Sequence, residues 1–256
     1  MQIDLNCDMG ESFGAYCLGE DEAIIASVSS INIACGLHAG DPHVMNRTVR
    51  LAKERGVAVG VHPGLPDLLG FGRRDMACSP EEIADYLTYQ IGALQAFCTA
   101  QGVRLRHVKP HGALYNRAAN DEQLVRVMAR AIARIDRGLL LVGLAGRDNC
   151  RMAALAAEEG VHMVFEAFPD RAYTPEGTLV SRRLPGAVIL DPEAAALRVL
   201  RMVLDQEVEA VSGAVVPLAA QTLCIHGDHP QGAALAAIIR ARLEAAGVMV
   251  RPMRPV

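Results

Sequence analysis

A closed α/β barrel is the fold this sequence predicts: parallel strands, each followed by a helix, in one domain over residues 1–256. Three observations carry the prediction. Seven short apolar runs alternate with segments of helical periodicity, the rhythm of a mainly parallel sheet. No linker rich in Gly, Ser or Pro divides the chain, and seven strand–helix units in this length suit closure better than the alternative, an open doubly wound sheet. Polar and titratable residues recur at the C-terminal ends of successive runs, the face on which parallel barrels gather their functional groups.

IDLNCD (3–8) begins the series and spaces Asp4, Asn6 and Asp8 two apart, on one side of an extended chain, with Glu11 beyond. INIAC (31–35) leads into CGLHAGDP and His38. Asp41-Pro42 then supplies an N-cap and a first-turn proline for a helix carrying Val44, Thr48, Leu51 and Arg55 and stopping at Gly56. VAVGVH (57–62) ends on His62 and continues into PGLPDLLGFGRR, with Asp67, Arg73 and Arg74. Ser79-Pro80 with Glu82 is a capping box for a long helix reaching Gly102. VRLRHVK (103–109) places His107 and Lys109 on one side, with His111 in the same register past Pro110. Asn120 opens a helix whose apolar stripe is Leu124, Val127, Met128 and Ala131. LLLVGL (139–144), HMVFEAF (162–168) and TLCIHG (222–227) complete the strands; the sixth leads to Asp170 and Arg171, the seventh to His226, Asp228 and His229. Residues 169–190, punctuated by Pro and Gly with a hairpin turn at Pro175-Glu176-Gly177, read as a lid or binding segment. Asp191-Pro192 and His229-Pro230 repeat the N-cap device.

Composition excludes several classes. A net charge of −4 argues against a general binder of nucleic acid or membrane surfaces. The start MQIDLNCDMGES is unlike a secretory signal, and no apolar run reaches the ~20 residues of a membrane span. Seven cysteines without a C-x-x-C pair fit reduced thiols, hence a cytoplasmic protein. No phosphate-binding loop, dinucleotide fingerprint, G-x-S-x-G elbow or H-E-x-x-H motif occurs.

Each polar residue carries a bland and a sharp reading. Asp41 is best explained as a helix cap and Asp4 as a buried structural carboxylate; His107 divides evenly between core histidine and function. His43 and His162 fall outside the pattern. Asp8, at the rim, is the better general base, and His226 and Asp228 share a face that can work with it. Lys109 and His111 flank a proline at a strand end, where packing alone explains little. Asp8, His38, His62 and His111 are ligand types compatible with a divalent cation, without a spacing that requires one. The residues by themselves describe a barrel hydrolase or lyase acting on a small anionic substrate.

The strings DLNCDMGESFGAY, NIACGLHAGDP, GVHPGLPDLLGFGRR, HVKPHGALYN, DRAYTPEGTLVSR and CIHGDHP, in this order from residue 3 to about 250, resemble the LamB/YcsF family of 5-oxoprolinase A subunits. Leu37, Arg147, Pro169 and His229 depart from the family pattern, and none of them removes a candidate catalytic side chain. The resemblance implies a deformed (β/α)7 TIM-like barrel, related to sugar-processing barrels that include metal-dependent deacetylases. It also implies ring opening of 5-oxo-L-proline to L-glutamate, with ATP as co-substrate of a complex formed with 5-oxoprolinase subunits B and C. The missing phosphate loop agrees with partners handling the nucleotide. With that chemistry, Asp8, His62, Lys109, His111 and Asp228 are the expected catalytic residues, and Asn6, His38, Arg73, Arg171 and His226 the expected substrate contacts. The rival readings are a metal-dependent deacetylase or hydrolase on the same barrel, and a non-catalytic component that captures substrate for its partners.

Overall fold

The computed structural model describes residues 1–225 and 231–255. Its elements run β1 (Gln2–Met9), α1 (Asp21–Ile24), β2 (Ser30–Ala34), α2 (Pro42–Arg55), β3 (Ala58–His62), α3 (Pro80–Gln101), β4 (Leu105–Val108), α4 (Gly112–Ala118), α5 (Glu122–Ile135), β5 (Leu140–Leu144), α6 (Asn149–Glu158), β6 (Met163–Ala167), α7 (Pro192–Leu200), β7 (Glu207–Glu209), β8 (Val215–Pro217), β9 (Thr222–Ile225), α8 (Gly232–Ala245) and β10 (Met249–Val250). Seven of the strands pair in parallel in the order β1-β2-β3-β4-β5-β6-β9, and β9 returns to β1, so the barrel closes. β10 adds a short parallel pairing to the start of β1, and β7 and β8 form a separate antiparallel hairpin.

Local chemistry fixes the helix ends. Asp41 accepts hydrogen bonds from the His43 and Val44 amides at 2.8 Å each, Pro42 starts α2, and left-handed Gly56 ends it. Ser79 and Glu82 make both bonds of the capping box on α3, and Gly102 closes that helix. The cap of α5 is Asp121 rather than Asn120: its side chain takes the Leu124 amide at 3.0 Å, so the helix starts one residue later than predicted. Asp191 caps α7, whose end runs into a π-helical turn over Arg201–Asp205 before left-handed Gln206. His229-Pro230 lies outside the described residues.

The helices cover the outer face of the barrel with Val, Ile, Leu, Met and Ala, forming one continuous apolar core. The inner face is different. Asp4, Asn6, Ser30, Asn32, His107, Lys109, Glu166 and Thr222 point inward and are almost fully buried. A polar interior of this kind persists only when its groups are paired, because an unpaired buried polar atom costs more than its hydrogen bond would contribute. The described residues include no helix long and apolar enough to cross a membrane, and all seven cysteines are free.

Candidate active site

Alternation along the strands explains which side chains meet inside the barrel. Asp4, Asn6 and Asp8 line one side of β1, and Ser30 and Asn32 match them on β2. Asp4 accepts from the hydroxyls of Ser29, Ser30 and Thr222 at 2.6–2.7 Å. Burial raises its pKa to about 6, against which those hydroxyls pull. A carboxyl held above its unfolded value adds stability at low pH and loses it as pH rises through the folded pKa. Relative to Asp4→Asn, the natural protein is therefore expected to gain about 1 kcal/mol between pH 7 and pH 5, read from urea midpoints. A constant difference across that range would contradict this origin of the shift.

Above Asp4 the bonds continue. Asn6 donates to Glu166 at 2.8 Å and to Thr222 at 2.6 Å, and accepts from Asn32 at 2.7 Å. Asn32 also donates to Asp8 at 2.8 Å and accepts from His107 Nε2 at 2.6 Å. Burial holds the His107 imidazole down to about 3, so it stays neutral and serves as a core donor. The backbone leaves room for it at Gly60, where a Cβ would collide with the His107 ring.

At the top of this stack Lys109 Nζ lies 2.8 Å from Asp8 Oδ1, 3.1 Å from Glu166 Oε1 and 2.9 Å from Cys224 Sγ. Burial alone would depress the ammonium, but Asp8, Cys224 and Glu166 hold its pKa well above the ordinary lysine value. Burial raises Glu166, with Lys109 opposing. One cation thus bridges two carboxylates, and its removal would leave both of their buried charges uncompensated. The other Asp8 oxygen lies 3.2 Å from His62 Nε2.

Three imidazoles adjoin this group. His62 Nδ1 donates to the Lys109 carbonyl and His111 Nε2 to the Phe71 carbonyl, each at 2.8 Å. Their remaining nitrogens, His62 Nε2 and His111 Nδ1, face each other at 2.8 Å. Two lone-pair positions so placed are satisfied by one shared proton or by a cation. Left-handed Gly72 lets the preceding loop pass over the rings: a Cβ there would fall 2.7 Å from His38 and 2.9 Å from His111. His38 stacks on His111 at 3.9 Å, is fully buried, and neither ring nitrogen has a hydrogen-bond partner among the described residues. Burial holds His38 and His111 well below the ordinary histidine value, leaving both neutral. Ligand atoms of Glu11, His38, His62 and His111 lie within 4.8 Å of one another.

Asp8, His62, Lys109 and His111 reach the floor of a cavity of about 660 Å³. Its walls include Tyr115 and Phe168, and residues Thr178–Arg183 of the long 169–190 segment form one side. That segment is an irregular hairpin with bridges Arg171–Val188 and Tyr173–Leu179, turning at left-handed Gly177 as predicted. Arg198 of α7 pins it by donating to the carbonyls of Pro169 and Arg171.

The expected site residues separate into three groups. Asp8, His62, Lys109 and His111 come together, with Arg73 and Arg171 on the cavity wall. Asn6 and His38, expected to touch substrate, lie behind that wall instead: the polar atoms of Asn6 are spent on Glu166, Thr222, Asn32 and Lys109, and His38 is sealed beneath His111. Arg171 also donates to the carbonyls of Ala187 and Val180, so part of its guanidinium holds the hairpin. His226 and Asp228 lie outside the described residues. Sequence reasoning missed Glu166, Asn32, Tyr115 and Cys224. The available signal was a lone carboxylate in the apolar run VFEAF and a lone amide in INIAC, both at inward register.

Comparison with known proteins agrees with this fold. The chain is 54% identical over 253 residues to a protein of Thermococcus onnurineus named as the A subunit of 5-oxoprolinase, covering 99% of this chain and 98% of that one. It is 52% identical to a protein of the same name from Syntrophobacter fumaroxidans, with 99% of each chain covered. The crystal structure of a lactam utilization protein from Thermus thermophilus superposes with a TM-score of 0.91 at 52% identity, over 98% of this chain and 99% of that one. The model of the LamB/YcsF family matches residues 3–256, and on these grounds, with its seven parallel strands closing around the polar floor, the chain belongs to the LamB/YcsF family.

Proposed function

We propose that this chain is the ring-opening subunit of an ATP-dependent 5-oxoprolinase, converting an activated form of 5-oxo-L-proline to L-glutamate in the cytoplasm, in a complex with subunits B and C. The names of its relatives support the assignment. The observation that carries the chemistry is Asp8, set between the Lys109 ammonium at 2.8 Å and the His62 imidazole at 3.2 Å on the floor of the cavity.

A five-membered lactam is a poor electrophile at neutral pH. In this reading ATP is used at the partners, which transfer its γ-phosphoryl group to the lactam oxygen. In the barrel, Asp8 takes a proton from water as its oxygen bonds to the ring carbon. The C–N bond then breaks with a proton delivered to nitrogen along His62 and His111, leaving a γ-acyl phosphate. A second water hydrolyses that to L-glutamate and phosphate. The Lys109 ammonium, held in a water-poor site, stabilises the negative charge that develops on the attacking oxygen as it loses its proton and the C–N bond breaks. Arg73 and Arg171 hold the substrate carboxylate, Asp228 is the second choice of base, and His226 is a further contact on sequence grounds. The test is reconstitution: with subunits B and C, ATP and 5-oxoproline, glutamate is expected only when this chain is added. Equal glutamate formation without it would overturn the reading, as would a cavity variant that assembles normally and retains full turnover.

A second reading adds a divalent cation, favoured by one observation: fully buried His38 has no partner for either ring nitrogen among the described residues. The donor set fits. His62 and His111 each commit one nitrogen to a backbone carbonyl, the usual support for a ligating histidine, and Glu11 supplies a carboxylate beside them. The parallel stacking of His38 on His111 means that one ring must turn before both can bind one ion. A bound cation would polarise the substrate's oxygen as a Lewis acid. The purified chain incubated with zinc or manganese and desalted is expected to retain about one equivalent and to melt at higher temperature, an effect lost in His111→Gln. No retained metal and no shift in Tm would remove the cation.

A further inference from the structure

The cavity is too large for the substrate that the floor is built to open. A small lactam acid fills only a fraction of about 660 Å³, a volume within the ~300–1,000 Å³ that encloses drug-sized ligands. From the buried floor at Asp8 and Lys109 the space runs outward to a rim that carries exposed Arg73, Arg74 and Arg183 and half-buried Arg182, with Arg171 in the wall. Arg74 pairs with Asp67. Cations surround the space from two directions: Arg73 from the loop after β3, lying 4.9 Å over the Phe71 ring, and Arg171, Arg182 and Arg183 from the 169–190 hairpin. Burial lowers the Arg171 guanidinium to about 10, helped by repulsion from Arg182 and Arg73 and opposed by Asp170 and Tyr173. On a chain of net charge −4, such a concentration of guanidinium groups focuses positive potential into the cleft.

We infer that the outer half of the cavity is a phosphate subsite, in which Arg182 and Arg183 of the 169–190 hairpin receive the phosphoryl group of an activated lactam while its ring lies on the Asp8–Lys109 floor. This rests on the ring-opening reading above. Guanidinium forks match a dianionic phosphate better than a single carboxylate, which one such group can satisfy. The placement also explains why a long hairpin flanks the cleft. Its charge draws an anionic intermediate from a neighbouring protein of the complex, and it retains the phosphate as the C–O bond to it breaks.

Calorimetric titration of the whole chain alone, in a buffer free of phosphate, tests the subsite with three ligands: inorganic phosphate, ADP and 5-oxo-L-proline. Phosphate is expected to bind, and the Arg182→Ala/Arg183→Ala variant to bind it at least about 10-fold more weakly, in line with loss of charge-assisted hydrogen bonds. Its affinity for 5-oxoproline is expected to change less than about 3-fold, and the Arg182→Lys/Arg183→Lys variant to recover part of the phosphate affinity. Arg126→Ala, outside the cavity, controls for the loss of a surface charge and is expected to bind phosphate normally. Phosphate affinity unchanged in the double alanine variant, or no phosphate binding by the natural chain, overturns the subsite. ADP binding tighter than phosphate and lost in the same variant would also overturn it, by making the arginines a nucleotide site. None of these titrations uses ATP or the partner proteins, so their failure leaves the reconstitution result standing, and the reverse holds.

Discussion

Asp8→Asn is expected to lower glutamate formation by the assembled enzyme about 100-fold or more, the loss typical for a group that serves as base beside a charged stabiliser. The substitution is nearly isosteric. An amide oxygen can still accept from Lys109 and Asn32, which now lie 2.8 Å from Asp8 Oδ1, and the amide nitrogen can face His62 where Oδ2 lies. Lys109 keeps Glu166 as its counter-ion at 3.1 Å. Fold, assembly with the partners and 5-oxoproline binding should therefore persist while the proton acceptor is gone. The measurement is turnover in the reconstituted system, with melting temperature and complex formation followed beside it. Turnover within about 3-fold of the natural protein would remove Asp8 from the base role assigned to it.

Lys109→Met is expected to be as damaging to turnover and, unlike Asp8→Asn, to damage the fold as well. Sequence alone suggests an isolated strand-end lysine whose removal spares the structure. The structure shows it holding Asp8 and Glu166 together in a space where both are nearly inaccessible. Removing one partner of a buried ionic group leaves uncompensated charge and costs about 3–5 kcal/mol. The sign of the pH dependence follows. Without the ammonium both carboxyls are pushed upward, and Glu166 is already raised by burial. Groups raised in the folded state add stability at low pH and lose it as pH climbs through their folded values. The deficit against the natural protein should thus be larger at pH 8 than at pH 5, read by urea unfolding. Adding Glu166→Gln should restore part of the stability and none of the turnover. A deficit that is independent of pH would show that Lys109 is not the counter-ion of these carboxylates.

Much of the fold was legible in the letters because its signals are local. Asp41-Pro42, Ser79-Pro80-Glu81-Glu82 and Gly102 fix helix ends through bonds within a few residues, and the structure shows those bonds. Elements with weaker local signals were missed: α4 begins directly after His111 with no side-chain cap, α6 has no side-chain cap, and β7 and β8 are three residues each. Convergence of Asp8, His62, Lys109 and His111 was legible for another reason, since a parallel barrel puts equivalent strand ends on one face. Depth was not. Asn6 shares register with Asp8 and His38 follows the end of β2, and only three-dimensional packing shows that Glu166, Asn32 and His111 have already claimed or covered them. Glu166 escaped notice because it sits mid-run, where a charge looks like an exception to an apolar strand. In a barrel with a polar interior it is part of the design of the floor.

The claim on which the chemistry depends is that the lactam lies on the Asp8–His62–Lys109 floor. A crystal structure of the chain soaked with 5-oxo-L-proline measures this directly. The account predicts density for the ring at the bottom of the cavity, its ring carbon facing Asp8 and Lys109 and its lactam oxygen directed towards the outer half. Density for the ligand elsewhere, touching none of Asp8, His62 and Lys109, would contradict it.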